Sequence, residues 1–209
     1  MDKIKLGVLV GGTSIEREVS KKSCENLLAN LDENKYEITV YHLPADGNTE
    51  WAKNIISNPP QIVLSALHGG NGENGSIQGF LHCLNIPYIG SKVLSSAICM
   101  NKAMAKTVMK ANHIQVPDHV FVMRGVDFSQ YEESIKLMGF PLIVKPNRGG
   151  SSIGVIVARN MEDIHYGIKN IIETYDDDVL IEKFIDGKEI NCCVLQGENG
   201  PEAMAVLDV

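Results

Sequence analysis

A lysine stands directly ahead of three glycines and two serines in Lys145-Pro146-Asn147-Arg148-Gly149-Gly150-Ser151-Ser152-Ile153-Gly154, a stretch that joins a charge to a mobile backbone. Glycine lets N–H groups turn toward a ligand with no Cβ in the way, and a nest of such groups suits the oxygens of a phosphate. Lys145 would add a point charge beside them. The lysine precedes the glycines and no helix-opening Gly-Lys-Ser/Thr follows, so phosphates would lie under a hairpin flap and not in a Walker loop. A long hairpin loop that uses glycine for positive φ and serine for solubility is the alternative, and the stretch alone leaves both open.

Two other glycine-rich loops carry candidate groups: Gly11-Gly12-Thr13-Ser14-Ile15-Glu16, and His68-Gly69-Gly70-Asn71-Gly72-Glu73-Asn74-Gly75. Thr13-x-x-Glu16 has the spacing of a capping box, in which Glu16 bonds a backbone N–H at a helix start, and the spacing by itself favours that role. The other reading places the Glu16 carboxylate in the crevice where open α/β sheets bind ligands, facing a substrate ammonium. His68 is either a satisfied loop histidine or a substrate-facing donor at the same crevice.

The elements that must position these loops follow from periodicity. Ile4 to Val10 reads as a strand buried on both faces, and Val19, Ser23, Leu27 and Leu31 form a helical stripe with Cys24 and Leu28 beside it. Tyr36 to His42 alternates as a second strand, Asn48 to Asn58 suits a short helix before Pro59-Pro60, and Ile62 to Leu67 is a third strand. A helix over Ser76 to Leu84, a short strand at Tyr88-Ile89 and a helix around Leu94 to Met100 complete a four-strand doubly wound unit. Asn101 to Ala111 is a new helix with Lys102 and Lys106 one turn apart. Beyond it lie strands at Val120–Met123, Phe140–Val144, Ile153–Val157, Val179–Phe184, Glu189–Leu195 and Ala203–Leu207, with an apolar helical stripe from Met161 to Tyr175 laid across them. Asp176-Asp177-Asp178 reads as a solvated turn.

With 209 residues and 44% hydrophobic content the chain can bury a sizeable core, and its length suits two units. A formal net charge of −7 argues against a general nucleic-acid or anionic-membrane surface. Five cysteines, odd in number and without zinc-ligand spacing, suit thiols in a reducing compartment, and no apolar run reads as a secretory signal or a membrane span, so a cytoplasmic protein is expected.

These loops, in this order, resemble the D-alanine–D-alanine ligases of the ATP-grasp superfamily. The matching residues are Gly11-Gly12-Thr13-Ser14-x-Glu16-Arg17-Glu18-Val19-Ser20, Leu67-His68-Gly69-x-x-Gly72-Glu73-x-Gly75, Tyr88-Ile89-Gly90-Ser91, Asn101-Lys102, the Lys145–Gly154 loop, and Glu182-Lys183-Phe184-Ile185-x-Gly187-x-Glu189. The fold implied is α/β: a doubly wound parallel-sheet domain over residues 1–100, then an α+β ATP-grasp domain with a central subdomain over 101–185 and the start of a C-terminal subdomain over 186–209, incomplete at its C-terminus. By resemblance, Glu16 holds the ammonium of a first D-alanine, His68 its carboxylate region, and Ser151 sits at the reacting centre, with Glu16 and Ser151 the catalytic candidates. Lys102 and Lys145 would contact ATP phosphates under the N–H groups of Gly150, Ser151 and Ser152. Glu182, the backbone of Lys183 and Ile185, and Glu189 would meet adenine and ribose. The activity implied is ATP-dependent joining of two D-alanines through an acyl phosphate, for peptidoglycan precursors; phosphoryl transfers of this kind rest mainly on positioning and charge neutralisation.

Asn74 departs from the aspartate usual at its position, which bears on loop geometry more than on chemistry. The family also continues beyond the position of Val209 with a mobile-loop tyrosine, an arginine and the Asp, Glu and Asn ligands of Mg²⁺ (or Mn²⁺), and no metal ligand is assigned within these residues. The chain alone is therefore expected to lack turnover. A non-catalytic module binding nucleotide or D-alanine, and a ligase using D-serine or D-lactate second, are the alternatives. An uncovered apolar face is expected around Ile190, Val194, Val206 and Leu207, with either disorder beyond Gly187 or pairing with another copy, and a homodimer is expected.

Overall fold

The structure is a computed structural model and describes residues 2–208. The first half runs β1 (Ile4–Gly11), α1 (Arg17–Asn30), β2 (Tyr36–Leu43), α2 (Glu50–Ser57), β3 (Ile62–Ser65), α3 (Gly70–Glu73), α4 (Ser76–Cys83) and α5 (Val93–Met100). β1 lies central in a parallel sheet of order β2-β1-β3. Its side chains alternate between two covered faces. Leu6, Val8 and Val10 pack with Cys24 of α1, while Leu9 packs with Ile55 of α2 and with Ile77 and Leu81 of α4. All three strands point their C-terminal ends, and hence the loops that follow β1 and β3, to one edge of the sheet.

Two expectations are corrected here. The fourth strand shrinks to a single parallel bridge between Val63 and Tyr88, because Pro87 brings no N–H to the ladder and Gly90, at φ 117°, turns the chain away. The buried edge of α1 runs through Ser20 and Cys24, and Val19 is 49% exposed. Ser20 is buried because its Oγ accepts the Gly11 N–H at 2.8 Å, closing the end of β1. Apolar periodicity cannot reveal such a polar anchor.

The second half runs α6 (Lys102–Ala111), β4 (His119–Val122), a 3-10 turn (Phe128–Gln130), α7 (Glu132–Met138), β5 (Leu142–Pro146), β6 (Ile156–Ala158), α8 (Met161–Tyr175), β7 (Val179–Lys183), β8 (Ile190–Gly197) and β9 (Gly200–Asp208). β4, β7, β5 and β6 form an antiparallel sheet in that order, and β5 and β6 are the two arms of the glycine flap. α8 lays Ile164, Ile168 and Ile171 over Leu142, Val144, Val179 and Ile181. α7 is absent from the sequence reading: seven residues between a loop and Gly139 give too short a stripe, although Ile135 is fully buried beneath it.

Gly167 lets α8 come down onto the strand that carries Lys145, since a Cβ there would sit 2.9 Å from Cγ1 of Val144, which is itself buried. Gly167→Ala is therefore expected to cost about 1–3 kcal/mol through overpacking, read as a lower midpoint in denaturant unfolding. A gain of about 1 kcal/mol, the ordinary helix preference for alanine, would mean that the helix is free to lift.

β8 and β9 pair as a separate two-stranded sheet, so residues 190–208 form a hairpin and not an unstructured tail. Its apolar side chains are uncovered as expected, with Ile190, Val194, Val206 and Leu207 all 57–60% exposed. Among the described residues no helix is long and apolar enough to cross a membrane.

Candidate functional site

The three glycine loops meet at Glu16. The residue takes the N-cap position of α1, but its side chain makes no capping hydrogen bond, and its own N–H is satisfied by Ser14 Oγ at 3.1 Å. The carboxylate instead reaches the flap, where Ser151 Oγ donates to Oε1 at 2.5 Å. The spacing that suggested a capping box thus serves a contact 135 positions away in sequence. Its other oxygen lies against Gly69, where any Cβ would collide with Oε2 and sit 2.7 Å from Ser14 Oγ. Glycine is required there twice over, since Gly69 also has φ 63°. His68, next to it, contacts Ser23 Oγ through Nε2 at 2.8 Å and stands 3.9 Å from Glu73 through Nδ1. Ser151 and Ser152 both have positive φ, which holds the flap tip over the Glu16 loop.

A cluster of lysines lies at the root of the flap. Register places Ile143 opposite Glu182, and the Lys145 ammonium bonds Oε1 of Glu182 across the β5–β7 ladder. Lys106, from α6, stands 2.8 Å from Oε2 as an ion pair outside hydrogen-bond alignment. The three side chains are only 10–19% exposed. Burial pushes the Glu182 carboxyl up, but the Lys106 and Lys145 ammoniums outweigh it and hold it below its ordinary value. Lys102 donates through Nζ to the carbonyls of Pro146 at 3.1 Å, Asn147 at 3.4 Å, and Gly149. Burial first, and then the charge of Lys145, lower the Lys102 ammonium, with Asp177 and Glu182 pulling the other way.

Because the Glu182 carboxyl titrates lower in the fold than in the unfolded chain, its stabilisation is full above the unfolded value, about 4.3, and is lost as pH falls through the folded one. The stability difference between the native chain and Glu182→Gln should therefore shrink progressively as pH falls below about 4, where the unfolded chain takes up the proton first, and level off only once the folded carboxyl is protonated too. Thermal melts across that range check it; a difference that stays constant would mean that the carboxylate contributes no ionic stabilisation.

Asn147, fully buried, joins the two lysine-bearing elements: its backbone carbonyl accepts the Lys102 N–H at 3.1 Å and its Oδ1 the Ala103 N–H at 3.0 Å. The acidic turn read as solvated is structural. Asp177 is buried and accepts the Arg148 N–H at 2.5 Å, and Asp178 takes the Arg124 N–H at 3.1 Å and Arg148 Nη2 at 3.2 Å, so the turn fixes the base of the flap.

Glu16, Lys102, Gly149 and Gly150 line one cleft of about 840 Å³. Ser95 and Cys99 of α5, Tyr175 at the end of α8 and Asp177 just after it form walls that the sequence did not mark. Of the residues expected at the nucleotide, Lys145 and Glu182 stand together at the flap root, whereas Lys183, Ile185 and Glu189 are exposed beyond the buried part of β7. Ile185 lines a separate hollow of about 630 Å³ with residues such as Lys110 and Pro117. Among the described residues no group of three or more His, Cys, Asp or Glu is placed to hold a metal ion.

Two family models match the chain: D-ala D-ala ligase N-terminus over residues 49–91, and D-ala D-ala ligase C-terminus over residues 108–209. A D-alanine–D-alanine ligase of Bacillus anthracis is 41% identical over 199 residues, 95% of this chain and 63% of that protein. The crystal structure of the Bacillus anthracis D-alanine–D-alanine ligase complexed with ATP matches with a TM-score of 0.76 at 36% identity, over 90% of this chain and 61% of that one. That of the VanG D-Ala:D-Ser ligase from Enterococcus faecalis matches with a TM-score of 0.83 at 27% identity, over 98% of this chain and 69% of that one. A parallel α/β unit facing an antiparallel sheet across a glycine-flapped cleft is the ATP-grasp ligase architecture. This chain belongs to the D-alanine–D-alanine ligase family, and it spans 63% of the length of the Bacillus anthracis relative.

Proposed function

We propose that the protein takes part in the ATP-dependent ligation of two D-alanine molecules in the cytoplasm, for peptidoglycan precursors, and that it does so as a homodimer. The observation that carries this is the single cleft whose walls include both the Glu16 carboxylate and Lys102 beneath the glycine flap. Glu16 is a counter-charge for the ammonium of the first alanine, and the neighbouring His68 faces its carboxylate. Lys102 and Lys145 neutralise phosphate charge as the alanine carboxylate oxygen bonds the γ-phosphorus and the bond to ADP breaks. The amine of the second alanine then attacks the acyl carbon, loses its proton, and phosphate departs. Seated over the reacting atoms, the flap excludes water that would hydrolyse the acyl phosphate.

The same reading divides the chain at residues 100 and 185 into an α/β domain, a central ATP-grasp subdomain and the start of a further one. It assigns Lys183, Ile185 and Glu189 to the adenine and ribose side. It also holds that these 209 residues by themselves do not complete the ligation, as the resemblance implies. An ADP-release assay with D-alanine, on this chain beside a longer relative, tests that point: turnover within about tenfold, or about 1.4 kcal/mol in barrier, would contradict it. The match to a D-Ala:D-Ser ligase favours D-serine as the one alternative second substrate. Mass spectrometry of the dipeptide formed by a longer protein carrying these residues separates the two.

A further inference from the structure

Glu182 is bound by two ammoniums, yet only one of them lies on the flap strand. Lys145 belongs to β5 and bonds Oε1; Lys106 belongs to α6 and stands 2.8 Å from Oε2. In the nucleotide reading, on which this inference rests, Lys145 turns to a phosphate and so gives up its place on Glu182. A carboxylate that is 10% exposed and loses its only partner carries a large desolvation cost, which would hold Lys145 back. The second cation removes that obstacle.

We infer that Lys106 is a positioning residue: it keeps Glu182 compensated and in place, and so frees Lys145 for the phosphate. Its own position does not depend on Lys145. α6 is capped by Asn101 Oδ1, which accepts the Met104 N–H at 3.0 Å, and the helix start is tied to Asn147 through the N–H groups of Lys102 and Ala103. Lys106 therefore stays on Oε2 while Lys145 moves. The sequence shows this lysine one turn beyond Lys102, but nothing in its spacing tells a phosphate ligand from a residue that holds another in readiness.

Calorimetric binding of ADP and of adenosine to the 209-residue protein tests the inference. Lys106→Met should weaken ADP by about tenfold or more while leaving adenosine within about twofold, because only phosphate calls Lys145 away. Lys106→Arg should restore ADP binding. In a Glu182→Gln background nothing restrains Lys145, so adding Lys106→Met should change ADP affinity by less than about twofold. Circular-dichroism melts confirm folding, and the Glu182→Gln pair, in which Lys106→Met no longer strips a buried carboxylate of a counter-charge, keeps the comparison valid if Lys106→Met alone is unstable. An unchanged ADP affinity in Lys106→Met overturns the inference. An equal loss in the Glu182→Gln background also overturns it and makes Lys106 a direct phosphate ligand. If the unmodified chain binds neither ligand, the nucleotide reading itself fails, and this is distinguishable from both other failures.

Discussion

Lys145→Ala is expected to weaken ATP binding about 10- to 150-fold, the range that follows from losing a charge-assisted hydrogen bond worth roughly 1.5–3 kcal/mol. The fold should survive, because Glu182 keeps Lys106 at 2.8 Å and is not left as a buried, unpaired charge. The adjoining strand packing is made by Leu142 and Val144, whose side chains are buried in the core, and not by the lysine head group. Calorimetry of ATP binding reads the first effect and a thermal melt the second. A variant with native ATP affinity would remove Lys145 from the phosphate site. Collapse of the fold would instead mean that Lys106 alone cannot compensate Glu182.

Glu16→Gln should act on the other substrate. The amide keeps the shape of the carboxylate and an oxygen able to accept the Ser151 hydroxyl, so the contact seen at 2.5 Å can persist. What disappears is the negative charge opposite an ammonium. We expect D-alanine affinity to fall about 10- to 100-fold, the scale of a charge-assisted hydrogen bond, with ATP affinity changed by less than about threefold. Because Glu16 makes no capping bond, the melting temperature should hold. Equal losses for both substrates would mean that the carboxylate acts only by latching the flap.

Much of this arrangement was legible in the chain because its signals are local. From Leu6 onward β1 is continuous and apolar, so a central strand buried on both faces follows from its residues, and α8 matches its apolar stripe from Met161 to Tyr175. The three glycine loops announced themselves by composition. What escaped depends on contacts between distant residues. Thr13-x-x-Glu16 has the local form of a capping box, and only the approach of Ser151 shows where the carboxylate goes. Three consecutive aspartates look solvated until Arg148 and Arg124 are folded against them. Lys106 is ambiguous in sequence for the same reason, since Glu182, the partner that defines it, is supplied by β7.

The most direct test of the cleft is backbone-amide NMR of the ¹⁵N-labelled 209-residue protein, titrated with ATP and then with D-alanine or L-alanine. ATP should shift the amides of Gly149, Gly150, Ser151 and Ser152 together with Lys102 and Lys145. D-alanine should shift Glu16, Gly69 and Ser151, and L-alanine should leave them in place. Shifts confined to the β8–β9 hairpin or to the hollow beside Ile185, or an equal response to both alanine enantiomers, would contradict a substrate cleft gathered around Glu16 and the flap.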